Sequence, residues 1–246
     1  MTDSITFWVL APLAVVFAGV SKAGFGSGAA FASAALLAII LPPTQALGLM
    51  LPLLMLIDLV TLRPYWGLWS WPEARILIVG GVGGVIAGVV LFNVASDDAL
   101  RFLIGSVSLG FVAWQLWPRK RSQKPMPRRA GVIAGAVAGF TSFVSHAGGP
   151  PAAVYLLSRG LSKTAFQATT VLVFWALNLA KSVPYAMIGV FQVDTLRMGA
   201  LLAPFALLGA YLGIKLHHAV SEKAFFTVTY VFLTVTGMKL IFDALS

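Results

Sequence analysis

Ser21-Lys22-Ala23-Gly24-Phe25-Gly26-Ser27-Gly28 interrupts an apolar stretch that runs from Ile5 to Leu41. Ser145-His146-Ala147-Gly148-Gly149-Pro150-Pro151 interrupts a second one, from Gly131 to Leu157. The first stretch is too long for one membrane span. After each break only about 10–13 apolar residues remain, whereas a crossing helix takes about 20. Each break therefore predicts a half-helix or re-entrant segment. Gly and Pro clusters at membrane depth are tolerated only where their backbone faces protein or a water-filled cavity.

Outward from the breaks, six segments reach spanning length: Thr44–Leu62, Glu73–Phe92, Ala99–Trp117, Phe166–Val183, Thr195–Leu216 and Ala224–Leu245. The composition agrees. Of 246 residues, 59% are hydrophobic and 10% charged, against roughly 45–50% and about 25% in soluble domains. This excludes a water-soluble enzyme, a disordered chain and a nucleic-acid-binding domain. The chain has no cysteine, so disulfides, thiolate metal sites and thiol catalysis are excluded. Asp3 and the lack of a basic leader before Ile5 predict that the first apolar run is not a cleaved signal peptide.

The two breaks belong to a repeat at an offset of 120 residues. Ala14, Ala18, Gly19 and Gly28 recur as Ala134, Ala138, Gly139 and Gly148. Leu36, Leu37, Leu41 and Thr44 recur as Leu156, Leu157, Leu161 and Thr164. Pro64-Tyr65 recurs as Pro184-Tyr185, and Asp58 falls opposite Asn178. The expected fold is all-α: a polytopic integral membrane protein of two repeats, each a Gly-broken hairpin followed by three spans. Residues 1–117 form the first repeat, 118–129 a basic linker and 130–246 the second repeat.

The formal net charge is +9, and its placement sets the expected orientation, because cytoplasmic loops collect Lys and Arg. The linker carries Arg119, Lys120, Arg121, Lys124, Arg128 and Arg129. The loop Asn93–Asp98 carries two Asp and no basic residue. The linker is thus expected inside and both chain termini outside. Each half begins on one side and ends on the other, so the halves have opposite orientation. Inverted repeats with discontinuous helices mark secondary transporters, whose substrate sits at the midplane where the breaks meet.

Site candidates follow from that geometry. Glycine lets backbone N–H groups approach a ligand, and a helix N-terminus favours an anion. Gly24, Phe25, Gly26, Ser27, Gly28, Gly148 and Gly149 are therefore candidate anion binders; close helix packing is the alternative for the glycines. It is the preferred reading for Gly80, Gly81, Gly84 and Gly88. Lys22, Asp58, His146 and Lys181 are ionisable residues in apolar sequence, which is costly and so points to function. Lys22 either serves an anion or snorkels to the cytoplasmic face. His146 either carries a coupled proton or is a neutral imidazole bonded to backbone. Asp58 is the other candidate proton carrier. Asn178 and Lys181 share a helix face, and a structural Asp58–Lys181 pair is the alternative to a binding role. The hydroxyls of Ser21, Ser27, Thr141, Ser142 and Ser145 are candidate donors, although such groups often bond their own backbone. No catalytic set, metal site or cofactor site is read.

On these residues the chain resembles the TauE/SafE sulfite exporter family, also called the TSUP transporters. The resemblance rests on residues 21–28, Leu-Pro-Pro-Thr-Gln-Ala (41–46), Leu-Leu-Met-Leu-Ile-Asp (53–58) and Ser-His-Ala-Gly-Gly-Pro-Pro (145–151). It continues in Leu-Ser-Lys-Thr-Ala-Phe (161–166) and Asn-Leu-Ala-Lys-Ser-Val-Pro-Tyr (178–185). Ala23 and Ser27 stand where the family often has glycine. The resemblance implies a bacterial inner-membrane transporter of small sulfur-containing anions such as sulfite, sulfoacetate or other organosulfonates, with Tyr185 among its site residues. It leaves a homodimer open. Expected partners are the anion and membrane lipids, with no nucleic acid. A passive anion channel and a transporter of another organic anion are the rival readings.

Overall fold

Helix starts are set by residues that the apolar runs alone do not include. In the computed structural model, which describes residues 5–24, 30–117, 125–216 and 222–246, the first helices are α1 (Ile5–Gly24), α2 (Phe31–Ile40) and α3 (Pro43–Leu62). A single 3-10 turn (Arg63–Tyr65) follows α3, then α4 (Trp71–Phe92) and α5 (Asp97–Leu116). The second set is α6 (Arg128–Ser145), α7 (Gly149–Ser158), α8 (Lys163–Met187), α9 (Val193–Leu216) and α10 (Glu222–Leu245). Proline sits in the first turn of α3, α4 and α7, where its missing N–H has no intrahelical partner to lose. The Ser96 hydroxyl accepts from the Ala99 N–H at 3.2 Å, and the Ser162 hydroxyl accepts from the Ala165 N–H at 3.2 Å. These caps start α5 and α8 two and three residues before the apolar runs expected at Ala99 and Phe166.

Among the described residues, six helices are long and apolar enough to cross a membrane: α1, α3 with its 3-10 turn, α4, α5, α9 and α10. The chain is a multi-pass helical membrane protein. α2 and α7 have ten residues each, the short helices expected after the two breaks. α8 contains the expected span Phe166–Val183 but is not among the six. It carries Thr169, Thr170, Asn178 and Lys181, all buried, so its polar face meets protein. The apolar side chains left exposed lie largely on the outer helices, for example Val79 and Ile86 on α4 and Val231 and Val235 on α10. That is the surface a lipid solvent requires.

The two halves exchange partners reciprocally. α1 packs on α9, and α6 packs on α4; α5 meets α10, and α3 meets α8. The close crossings depend on glycine. A Cβ on Gly19 would stand 2.6 Å from the Ala210 nitrogen, and one on Gly135 would stand 2.5 Å from the Leu77 carbonyl. Gly80 and Gly84 press on the backbone of α6, Gly81 on Leu177 and Gly88 on Phe143. The packing reading of these four glycines is the one observed.

A second polar contact ties the α7 end to the α4 start. The Tyr155 hydroxyl donates to Glu73 Oε2 at 2.6 Å, and Arg159 Nε donates to Glu73 Oε1 at 3.0 Å. Arg159 also donates to the Met126 carbonyl at 3.0 Å, just before α6. Glu73 is buried. Sequence reasoning missed this cluster, because Glu73 reads as the polar cap of an apolar span.

Candidate functional site

Four helices bring charge together in the interior. Lys22, near the end of α1, forms an ion pair with Asp58 of α3, Nζ to Oδ1, at 2.5 Å. Asn178 of α8 donates from Nδ2 to the other carboxylate oxygen at 2.6 Å. Asp58 is fully buried; its Oδ2 accepts a hydrogen bond, while its Oδ1 meets Lys22 as an ion-pair contact and has no hydrogen-bond partner among the described residues. One turn along α8, Lys181 Nζ donates to the Ser142 carbonyl and hydroxyl of α6, each at 3.0 Å. It also lies 2.9 Å from His146 Nδ1. Lys181 Nζ thus has three polar neighbours.

The partners of His146 assign its tautomer. Nδ1 accepts from Lys181, and Nε2 lies 3.2 Å from the Leu47 carbonyl. A carbonyl only accepts, so Nε2 carries the hydrogen and the imidazole is neutral. His146 ends α6 with φ of 58°, the one positive φ on a non-glycine residue among those described. A side chain in this left-handed region costs about 1–2 kcal/mol. The surrounding bonds hold it: the His146 N–H donates to the Ser142 carbonyl at 3.0 Å, and the Thr141 hydroxyl donates to the Ala147 carbonyl at 3.0 Å.

This geometry revises several expectations. Asp58 pairs with Lys22, not with Lys181. Lys22 does not snorkel; it is 7% exposed, because a buried carboxylate is within reach. Ser145 spends its hydroxyl on the Thr141 carbonyl of its own helix at 2.9 Å. Tyr185 donates to the Phe143 carbonyl at 2.5 Å and packs edge-on against that ring, so its hydroxyl already has a partner. Gly24 and Gly148 sit against backbone: a Cβ would stand 2.5 Å from the Gly213 carbonyl in the first case and 2.6 Å from the Ala138 carbonyl in the second. α7 starts Gly149-Pro150-Pro151, and its two prolines remove two of the N–H groups that would face an anion. Phe25, Gly26, Ser27 and Gly28, most of the basic linker and His217-His218 lie outside the described residues.

Two buried hydroxyls stand out. Ser21 on α1 and Ser33 on α2 are 0% and 1% exposed, and neither Oγ has a hydrogen-bond partner among the described residues. Elsewhere Ser108, Thr170, Thr229 and Thr234 bond the carbonyl four residues back. Ser21 was a candidate from sequence. Ser33 was missed, since a serine inside a ten-residue apolar helix gives no signal beyond its polarity. A buried donor without a partner calls for an explanation, and both residues flank the first break. Beside the second break, a cavity of about 510 Å³ opens between α5, α6 and α7, lined by residues that include Phe111, Trp114, Val137, Ala147 and Pro151. It has no charged lining.

Short helices after two breaks, together with a charged centre enclosed by spans, define the class: a polytopic membrane protein with a buried polar site of the transporter type. A family model described as Sulfite exporter TauE/SafE matches residues 11–240, and the chain belongs to that family. No curated protein and no solved structure matches the chain.

Proposed function

We propose that this protein is a secondary transporter that exports small sulfur-containing anions such as sulfite, sulfoacetate or other organosulfonates, with the substrate held near the bilayer midplane between the two breaks. The observation that carries this reading is the buried centre of Lys22, Asp58, Asn178, Ser142, His146 and Lys181 in a chain of this family. Charge inside a membrane is costly and is retained along ion and substrate pathways. Ser21 and Ser33 add two uncommitted donors beside the first break.

The proposed architecture is two inverted repeats, residues 1–117 and 130–246, in a bacterial inner membrane, with the linker cytoplasmic and both termini outside. The reciprocal packing of α1 on α9 and α6 on α4 supports it. Alternating access then exposes the centre to each side in turn. Asp58 and His146 are the groups proposed to carry a coupled proton. Lys22 becomes available to an anion when Asp58 is neutralised or moves away.

Reconstituted proteoliposomes test the reading. Radiolabelled sulfite and sulfonate uptake is measured with and without a pH gradient, for wild type and Lys22→Ala. The expected result is saturable uptake that the substitution lowers. Unsaturated, conductive flux in electrical recordings favours the channel reading. No uptake of any small anion refutes both.

A further inference from the structure

We infer that the cavity between α5, α6 and α7 is a binding site for a phospholipid with an anionic headgroup, its acyl chain in the cavity and its phosphate on Arg128 and Arg129. The site faces the leaflet on the linker side of the protein. It stands on the membrane-spanning fold and not on the identity of the transported anion.

α6 packs tightly on α4 and only lightly on α5, and the cleft left on the α5 side is the cavity of about 510 Å³. Sites for small molecules run roughly 300–1,000 Å³. Met126, just before α6, lines one end, and Ala147 and Pro150 of the second break line the other. Between them the α6 wall runs from Ala130 to Thr141, about 16 Å at the helical rise. Half of a bilayer's hydrocarbon core is about 15 Å. The cleft thus has the depth of one leaflet and the length of one acyl chain. Ile133 and Val137 on its wall are exposed, so it opens toward lipid.

The interior of the cleft suits hydrocarbon and not a small anion. No charged residue lines it, and its two lining hydroxyls are spent, Thr141 on the Ala147 carbonyl and Tyr155 on Glu73. The charge lies at the mouth. Arg128 and Arg129 occupy the first turn of α6, in sequence between the lining residues Met126 and Ala130. Both are exposed, and neither makes an ion pair among the described residues. Arg159 is already spent on Glu73 and the Met126 carbonyl. Positive side chains at a helix start are unfavourable, and a phosphate on this pair removes that cost. Trp114 lines the cleft and Trp117 is exposed beside it at the end of α5. Tryptophan sits at headgroup level, which sets the mouth at the height of lipid phosphates. Basic residues at a cleft between spanning helices hold anionic headgroups.

The test is native mass spectrometry of the detergent-solubilised protein, titrated with phosphatidylglycerol or with phosphatidylcholine of the same acyl chains. Wild type is expected to prefer phosphatidylglycerol by about thirtyfold, and Arg128→Gln with Arg129→Gln to lose that preference. Val137→Trp, which fills the cleft, is expected to weaken both lipids by about tenfold or more. Arg197→Gln on α9 and Val79→Trp on the outer face of α4, neither of them in the lining, are expected to change neither affinity. Equal affinity of wild type for the two lipids, or a preference that survives the loss of both arginines, would overturn the site. So would unchanged binding in Val137→Trp; where that variant does not fold, Ile133→Trp on the same wall gives the reading. A dimer that Val137→Trp dissociates, with no lipid retained by wild type, would assign the cleft to a second copy of the chain and overturn the lipid inference.

Discussion

Asp58 and Asn178 are separated by 120 positions in the chain and joined by a 2.6 Å hydrogen bond. That separation is the offset of the internal repeat. Under the proposed repeat, equivalent residues that touch lie on the axis relating the two halves. In the proposed inverted repeat that axis lies in the membrane plane, so this contact marks the bilayer midplane. The equivalence is broken chemically. Lys22 corresponds to Ser142, and Thr61 corresponds to Lys181. Each half supplies one lysine, from a different helix, and only one carboxylate meets them.

Removing that carboxylate leaves a buried ammonium. Asp58→Ala is expected to destabilise the detergent-solubilised protein by about 3–5 kcal/mol. The double variant Asp58→Ala with Lys22→Met is expected to recover most of the loss, since the orphaned charge goes with its partner. Thermal unfolding of both variants and of Lys22→Met alone gives the coupling energy. A double variant as unstable as Asp58→Ala would show that the ion pair is not what holds α1 to α3.

Close packing between α4 and α6 makes a separate prediction. Gly139 meets the Gly81 backbone and Gly84 meets the Ala136 backbone, and neither neighbour can swing away. Gly139→Ala is expected to cost about 1–3 kcal/mol. Gly83→Ala and Gly110→Ala, where an added Cβ meets nothing within 4 Å, are expected to be neutral or slightly stabilising. Unfolding midpoints for the three variants check the contrast.

The left-handed backbone at His146 predicts an order between two variants. His146→Gly and His146→Ala both remove the imidazole, but only alanine retains a Cβ at φ of 58°. The glycine variant is expected to be more stable by about 1–2 kcal/mol. Equal stability would mean that the helix end relaxes once the side chain is gone.

The Glu73 cluster joins α4, α7 and the start of α6. Glu73→Ala leaves the Tyr155 hydroxyl and Arg159 without their shared acceptor. It is expected to cost about 2–4 kcal/mol and to raise protease sensitivity near Met126. Tyr155→Phe, which keeps the Arg159 bond, is expected to cost about 1 kcal/mol. Limited proteolysis beside the melting curve reads both.

The helices were legible because apolar runs of spanning length have few alternatives, and because Gly24 and Gly149-Pro150-Pro151 punctuate the chain. Their ends were less so: α5 begins at Asp97 and α8 at Lys163 because capping serines, not apolar residues, set those starts. The buried ionisable residues were also visible as exceptions to the composition. Their partners were not. Which lysine meets Asp58 depends on the approach of α1 to α3, and that approach depends on non-local packing against α9. Ser33 and Glu73 escaped for related reasons. Nothing local distinguishes a serine that bonds its own helix from one that does not, or an interfacial glutamate from a buried one.

The central claim is that the buried centre around Lys22, Asp58 and Lys181 binds and passes the anion. Its most direct test is the initial rate of radiolabelled sulfite uptake into proteoliposomes holding wild type, Lys181→Gln or Lys239→Gln. The last replaces an exposed lysine that pairs with Asp243 on α10. Wild type and Lys239→Gln are predicted to show the same saturable rate, and Lys181→Gln a rate lower by about a hundredfold. Wild-type uptake by a folded Lys181→Gln protein would contradict the account.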